Sequence, residues 1–251
     1  MTIDVVEGDC LQILPTFPDN TFDLVLTSPP YPGSKMYSLE GESLEDQIKR
    51  LDRLSYDAMK LCATKMKPGG ALCWNVMDIA TGDGGTVPNA MKATKNGIDL
   101  GLTYRGDIIW DKGCPYSLPP NLTLRPIVPN TTFEHVLVFY KGPRVARESK
   151  RIVRGTMSQL GVWRIGTAKT SDTNHISAFP LKLAENLVNF FSLKNDLVLD
   201  PFVGVGTTLM ACQNLGRSAI GIEMVHDYAE LAKVNVEKNR LNNPEKGLEL
   251  W

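Results

Sequence analysis

The stretch LVLDPFVGVGTTLMACQNLGRSAIGIEM, Leu197 to Met224, constrains the fold more than any other part of the chain. Leu197 to Asp200 reads as a short apolar strand, Thr207 to Leu215 as a helix and Ser218 to Glu223 as a second strand. A strand–helix–strand unit commits the chain to a parallel sheet. Gly204 and Gly206 sit in the turn between the first strand and the helix, where glycine lets the backbone bend tightly and approach a ligand. An acid closing the second strand, here Glu223, can hold ribose hydroxyls. The third glycine of the dinucleotide fingerprint is missing, because Leu209 stands in its place. Asp200 adds a negative charge beside the turn, which suits a ligand bearing an amine or a sulfonium better than a phosphate.

The remaining segments extend this pattern. Ile3 to Val6 and Phe22 to Thr27 read as strands, the second too short for a helix and apolar enough to be buried on both faces. Leu44 to Met66 has apolar residues at helical spacing and stops at Lys67-Pro68-Gly69-Gly70. Ala71 to Asp78, Tyr104 to Asp111 and Thr132 to Tyr140 read as strands, with a loop at Gly82 to Gly85. Helices follow at Leu181 to Phe191 and Tyr228 to Leu241. The alternation predicts an α/β fold, a mostly parallel twisted sheet with helices on both faces. A length of 251 residues allows one such domain with a small insertion. Five cysteines (Cys10, Cys62, Cys73, Cys114, Cys212), an odd number without a C-x-x-C pair, argue against a disulfide framework and a structural zinc site. No apolar run reaches about 18 residues and the N-terminus is acidic, so a soluble cytoplasmic protein without a membrane partner is expected.

Two further features carry chemistry. Thr27-Ser28-Pro29-Pro30-Tyr31 directly follows an apolar strand. Each proline forces the residue before it into extended conformation and offers no N–H, so the strand ends in a stiff loop at its carboxyl end. Open α/β sheets place their ligands there. Free carbonyls, the Ser28 hydroxyl and the Tyr31 ring could grip a planar amine by two acceptors and a stacking face; a simple strand terminator is the plainer alternative. The second feature is charge. The whole chain carries −1, yet residues 141–170 hold eight basic side chains (Lys141, Arg144, Arg147, Lys150, Arg151, Arg154, Arg164, Lys169) against Glu148 alone. This segment is either a solvated face or a phosphate-contacting surface, and Ser158, Gln159 and Trp163 among the charges favour the latter.

Together, TSPPY near the N-terminus and DPFVGVGTT near the C-terminus resemble the amino-methylating DNA methyltransferases of the β arrangement. In that family the (D/N/S)-P-P-(Y/F) motif precedes the target-recognition region and the cofactor motif comes last. The resemblance spans roughly Val6 to Lys238 and implies a Rossmann-like, S-adenosylmethionine-dependent fold with circularly permuted motif order. It divides the chain into a catalytic and cofactor-binding domain, 1–140 and 171–251, and a target-recognition insertion, 141–170.

The resemblance also assigns roles. Asp200, Phe202, Gly204, Gly206, Thr207 and Thr208 would wrap the methionine part of the cofactor, and Glu223 would take the ribose hydroxyls. Asp9 and Cys10, in GDCL, match the segment near the adenine amine, and His175, Ser177 and Ala178, in HISAFPLKL, the segment near the cofactor carboxylate. Ser28, Pro29, Pro30 and Tyr31 would be catalytic: Ser28 and the Pro29 carbonyl accept the two amine protons, and Tyr31 stacks on a flipped base. Proton loss would follow methyl transfer, to water through Ser28. Glu134 and His135, in FEHVLVFYKG, would at most orient other groups. Lys141, Arg144, Arg147, Lys150, Arg151 and Arg154 would contact double-stranded DNA. Further implied partners are a second copy of the chain and a companion restriction endonuclease. Serine at the first motif position leans towards the cytosine N4 amine, with adenine N6 as the alternative. A nicotinamide-dependent oxidoreductase and a catalytically silent DNA-binding module are the competing readings.

Overall fold

The computed structural model describes residues 1–34, 37–81, 85–113, 132–143, 161–167 and 179–243. In chain order the elements are β1 (Ile3–Glu7), α1 (Cys10–Ile13), a 3-10 turn at Leu14–Thr16, β2 (Phe22–Thr27), α2 (Leu44–Lys65), β3 (Met66–Val76), β4 (Ile79–Ala80), β5 (Thr86–Val87) and α3 (Asn89–Asp99). There follow β6 (Thr103–Asp111), β7 (Phe133–Tyr140), β8 (Val162–Arg164), α4 (Leu181–Phe191), β9 (Leu197–Asp200), α5 (Thr207–Leu215), β10 (Ser218–Glu223) and α6 (His226–Asn242). Among the described residues one eight-stranded sheet has the order β1-β10-β9-β2-β3-β7-β6-β8, and β4 and β5 form a separate two-stranded ribbon. Strand β7 is antiparallel to both of its neighbours, β3 and β6; every other pairing in the large sheet is parallel.

Both faces of the sheet are covered, as the burial of all six residues of β2, Asp23 and Thr27 included, requires. One face packs Leu24, Leu26, Cys73, Val136 and Val138 against Leu183 and Leu187 of α4 and Leu209 and Cys212 of α5. The other packs Val25, Leu72, Trp74, Leu137 and Phe139 against Met59 and Cys62 of α2 and Ala90 and Ala93 of α3. Helix α2 starts where Ser43 caps it, its side chain accepting from the Asp46 N–H at 3.1 Å, with Glu45 and Asp46 in the first turn complementing the helix dipole.

Three details depart from the sequence reading. Helix α3 was not expected. Lys67 to Gly70, expected as a helix stop, does end α2 but already belongs to β3, where Gly69 takes φ +77°. Val162–Arg164, inside the expected 141–170 insertion, pairs in parallel with β6 as an edge strand of the main sheet, and its Trp163 is core rather than contact surface.

The parallel strands β1, β10, β9, β2 and β3 all end on the same rim. Close packing of β10 against the glycine turn sets the turn's position there. A Cβ on Gly221 would lie 2.6 Å from Val203 Cγ2, so the turn can approach only because residue 221 is glycine. Gly221→Ala is expected to destabilise the fold by about 1–3 kcal/mol through overpacking, read as a lowered midpoint in chemical denaturation.

Candidate active site

Strand β9 ends at Asp200 and its neighbour β2 ends at Thr27, and these two side chains meet. Thr27 Oγ1 donates to Asp200 Oδ1 at 2.6 Å, across 173 positions of sequence. Thr208 Oγ1, from the first turn of α5, donates to Asp200 Oδ2 at 2.6 Å, and the Phe202 N–H donates to Oδ1 at 3.1 Å. Burial pushes the Asp200 carboxyl up to about 6, with Glu223 adding to the shift, while the Thr208, Thr27 and Phe202 donors oppose it. The group is therefore ionised at neutral pH and protonated in mild acid.

Glu223 locks the glycine turn to the end of β10. Its Oε2 accepts from the Gly204 N–H at 2.9 Å and its Oε1 from the Val225 N–H at 3.0 Å. Gly206 is left-handed at φ +90°, and a Cβ there would sit 3.3 Å from Ala232 of α6. Across the rim, Asp9 caps α1, accepting from the Leu11 N–H at 2.8 Å. The neighbouring Cys10 thiol is pushed up to about 12 by burial and the Asp9 charge, so it stays protonated.

Beyond the end of β2 lies a second polar cluster. Ser28 Oγ and Tyr31 Oη are 2.6 Å apart, and Tyr31 Oη donates to Glu134 Oε2 at 2.8 Å. Asn75, near the end of β3, donates through Nδ2 to Glu134 Oε2 at 2.6 Å, Tyr31 Oη at 2.8 Å and Ser28 Oγ at 3.3 Å. Lys112 Nζ, just past β6, pairs with Glu134 Oε1 at 2.7 Å. Burial and the Glu134 carboxylate hold the Tyr31 phenol well above its ordinary range. The loop after TSPPY is braced from behind: Gln47 of α2 accepts from the Gly33 N–H at 3.0 Å, and Asn89 of α3 donates to the Pro32 carbonyl at 3.0 Å.

A single cavity of about 450 Å³ joins the two clusters. Ser28, Pro30 and Tyr31 line it together with Asp9, Cys10, Asp200, Phe202, Gly204, Thr207, Thr208 and Glu223. The two motifs read separately in the sequence thus face one space. Not every expected residue does. Pro29 is buried and Gly206 serves the turn and its packing on α6; neither lines the cavity. The Ser28 hydroxyl, expected as a free acceptor, is already bonded to Tyr31 and Asn75. His135 points away from the cluster and bonds Asp107 through Nδ1 at 2.7 Å. Lys141 lies at the far end of the sheet, where its ammonium donates to Asn20 Oδ1 and to the carbonyls of Thr64 and Met66, so it does not belong to a DNA-facing surface at the rim. His175, Ser177, Ala178, Arg144, Arg147, Lys150, Arg151 and Arg154 lie outside the described residues. Sequence reading missed Asn75 and Lys112 and underrated Glu134. The available signal was a polar residue interrupting an apolar strand, as in ALCWNVM.

The Asp200 titration gives a measurable sign. Its folded value of about 6 exceeds the ordinary carboxylate value of 3.8, so the folded state binds the proton more tightly. This group's contribution to stability is then greatest in acid and is lost as pH rises from about 4 to about 6. Asp200→Asn removes that contribution. Relative to the wild type, the variant is expected to gain stability between pH 4 and pH 6, compared by denaturation midpoints at either end of the range.

A family model described as DNA methylase matches residues 22–234. Type II beta methyltransferase M.BslI of Bacillus sp. (strain NEB-606) is 27% identical over 252 residues, an overlap of 92% of this chain and 27% of that protein. Type II methyltransferase M.SmaI of Serratia marcescens is 28% identical over 272 residues, covering 94% of this chain and 91% of the relative. The crystal structure of TTHA0409 from Thermus thermophilus, complexed with S-adenosyl-L-methionine, superposes with a TM-score of 0.75 at 29% identity, over 95% of this chain and 96% of that one. With its glycine turn and its Pro-Pro loop on one cavity and the family model running from β2 into α6, the chain belongs to the DNA methylase family.

Proposed function

We propose that the protein transfers a methyl group from S-adenosylmethionine to the exocyclic amine of a base flipped out of double-stranded DNA, with cytosine N4 as the favoured target. The observation that carries this reading is the shared cavity, which puts a polar clamp for an amine and a carboxylate-lined pocket for a cationic donor on one space of about 450 Å³.

The residues fit the donor. Asp9, Asp200 and Glu223 line the cavity, and a Cβ placed on Gly204 would meet nothing within 4 Å, which leaves room beside the turn. Ionised Asp200 suits the amino group of the methionine part, Glu223 the ribose hydroxyls, and Asp9 the adenine amine. When bound, the sulfonium supplies a methyl group activated for in-line displacement.

The chain's own contribution is positioning and electrostatics. The lone pair of a base's exocyclic amine is delocalised into the ring, so the nitrogen is a poor nucleophile. An acceptor on one of its protons, here Ser28, favours a tetrahedral nitrogen and stabilises the positive charge that develops there. Glu134 is acceptor-only, so Tyr31 gives it its hydrogen and Ser28 in turn gives its own to Tyr31. That arrangement leaves the remaining lone pair of Ser28 for the target amine. Serine in place of the aspartate found in many adenine enzymes supports the cytosine preference. The basic side chains of residues 144–154 would contact phosphates, and a dimer or a companion endonuclease would belong to the same restriction–modification setting.

Incubation with labelled S-adenosylmethionine and mixed-sequence duplex DNA, followed by nucleoside mass analysis, is expected to yield N4-methylcytosine. Methyladenine alone would overturn the base assignment, and no transfer at all would overturn the function. The double variant Ser28→Ala/Tyr31→Ala is expected to lower turnover by at least about 100-fold while keeping cofactor affinity, measured by calorimetry.

A further inference from the structure

The proton released by the target amine needs a destination, and the polar cluster supplies one that the motif does not contain. We infer that Glu134 is the terminal acceptor of a proton relay running from the target nitrogen through Ser28 Oγ and Tyr31 Oη to Glu134 Oε2, a role that rests on the methyltransferase reading above.

Three observations place the relay. First, the oxygens form a chain without a gap: Ser28 to Tyr31 at 2.6 Å and Tyr31 to Glu134 at 2.8 Å. Second, the hydrogens along it have one direction. Glu134 Oε1 is ion-paired with Lys112 at 2.7 Å and Tyr31 donates to its Oε2; a paired carboxylate only accepts, so each hydroxyl donates towards it. Third, the chain is fixed. Asn75 is buried on β3, and its amide reaches all three oxygens, Ser28, Tyr31 and Glu134, holding them at one spacing.

The step balances. As the nitrogen–carbon bond forms and the carbon–sulfur bond of the donor breaks, the amine proton passes to Ser28. The Ser28 hydrogen moves to Tyr31 and the Tyr31 hydrogen to Glu134, which becomes a neutral acid. The positive charge brought in by the sulfonium ends as a proton on Glu134, and water takes it when product leaves. No strong base has to exist beforehand, because each hydroxyl receives one hydrogen while giving up another. Glu134 touches neither substrate nor donor in this scheme; it acts through Tyr31.

The test is single-turnover methyl transfer to mixed-sequence duplex DNA at saturating S-adenosylmethionine, so that titration of Asp200 does not enter through cofactor binding. The charged and titratable groups facing Glu134 are Lys112 from the end of β6, Tyr31 beside β2 and, further along that loop, Tyr37, while Asp107 and His135 pair away from the cluster. Tyr31→Phe and Glu134→Gln are each expected to slow transfer by about 100-fold with cofactor affinity unchanged. Transfer is expected to recover in part in Glu134→Asp, which keeps a carboxylate for Tyr31 to donate to. Deuterated solvent is expected to slow the wild type more than Tyr31→Phe. If Glu134→Gln fails to fold with Lys112 unpaired, Tyr31→Phe decides alone, because it leaves Glu134, Asn75 and Lys112 in place. Transfer by Tyr31→Phe at the wild-type rate, with the wild-type isotope effect, overturns the relay and leaves the methyltransferase reading standing. No transfer by the wild type overturns both.

Discussion

The buried carboxylate of Asp200 is the constraint on which the site depends. Two threonine hydroxyls and one backbone N–H converge on it from β2, α5 and the glycine turn. Hydrogen bonds to a charged group contribute about 1.5–3 kcal/mol each, against the cost of taking the charge out of water. That cost is visible in the upward displacement of its titration to about 6. A hydrophobic residue in its place would avoid that cost but leave the three donors without their acceptor. What the acid adds is location: it ties the end of the strand before the Pro-Pro loop to the end of the strand before the glycine turn. The cavity inherits its shape from that tie.

Around this anchor the charges are unequally shared. Asp9, Asp200 and Glu223 line one part of the cavity, whereas the cluster beyond β2 holds a neutralised pair, Glu134 with Lys112, and two hydroxyls. A cationic donor and a neutral ring amine are what such a division favours. The four free thiols among the described residues are held protonated. Cys10 borders the cavity, but its thiol is held protonated, and Cys62, Cys73 and Cys212 are buried in the core with their thiols pushed up by burial. Covalent attack on a ring carbon through a thiolate therefore has no candidate among the described residues.

Much of the frame was legible because its signals are local. The apolar run of β2, the strand–turn–helix unit ending in Glu223 and the helix at Leu181–Phe191 appear where periodicity and turn chemistry put them. Helix α3 escaped notice: Asn89–Asp99 carries lysines, threonine and glycine, and what holds it is burial of Ala90 and Ala93 rather than propensity. The glycine-rich start of β3 looked like an end because it is also a stop for α2. At the site, the motif residues were readable as motifs, yet their partners were not. Asn75, Lys112 and Glu134 come from three different strands or strand ends, and each is an isolated polar residue until the sheet order brings them side by side. The same sheet order removed Lys141 from the rim, since a residue after an antiparallel strand emerges at the opposite edge.

Reversal of β7 has one more effect. Its side chains alternate, so Glu134 and His135 look to opposite sides, and the ladder with β6 sets Trp110 against Glu134 and Ile109 against His135. Sliding this strand by a single step would bring an imidazole to the spot now held by the carboxylate. The backbone ladder thus works as a vernier: the register of this strand, and no motif, decides which side chain faces the cluster.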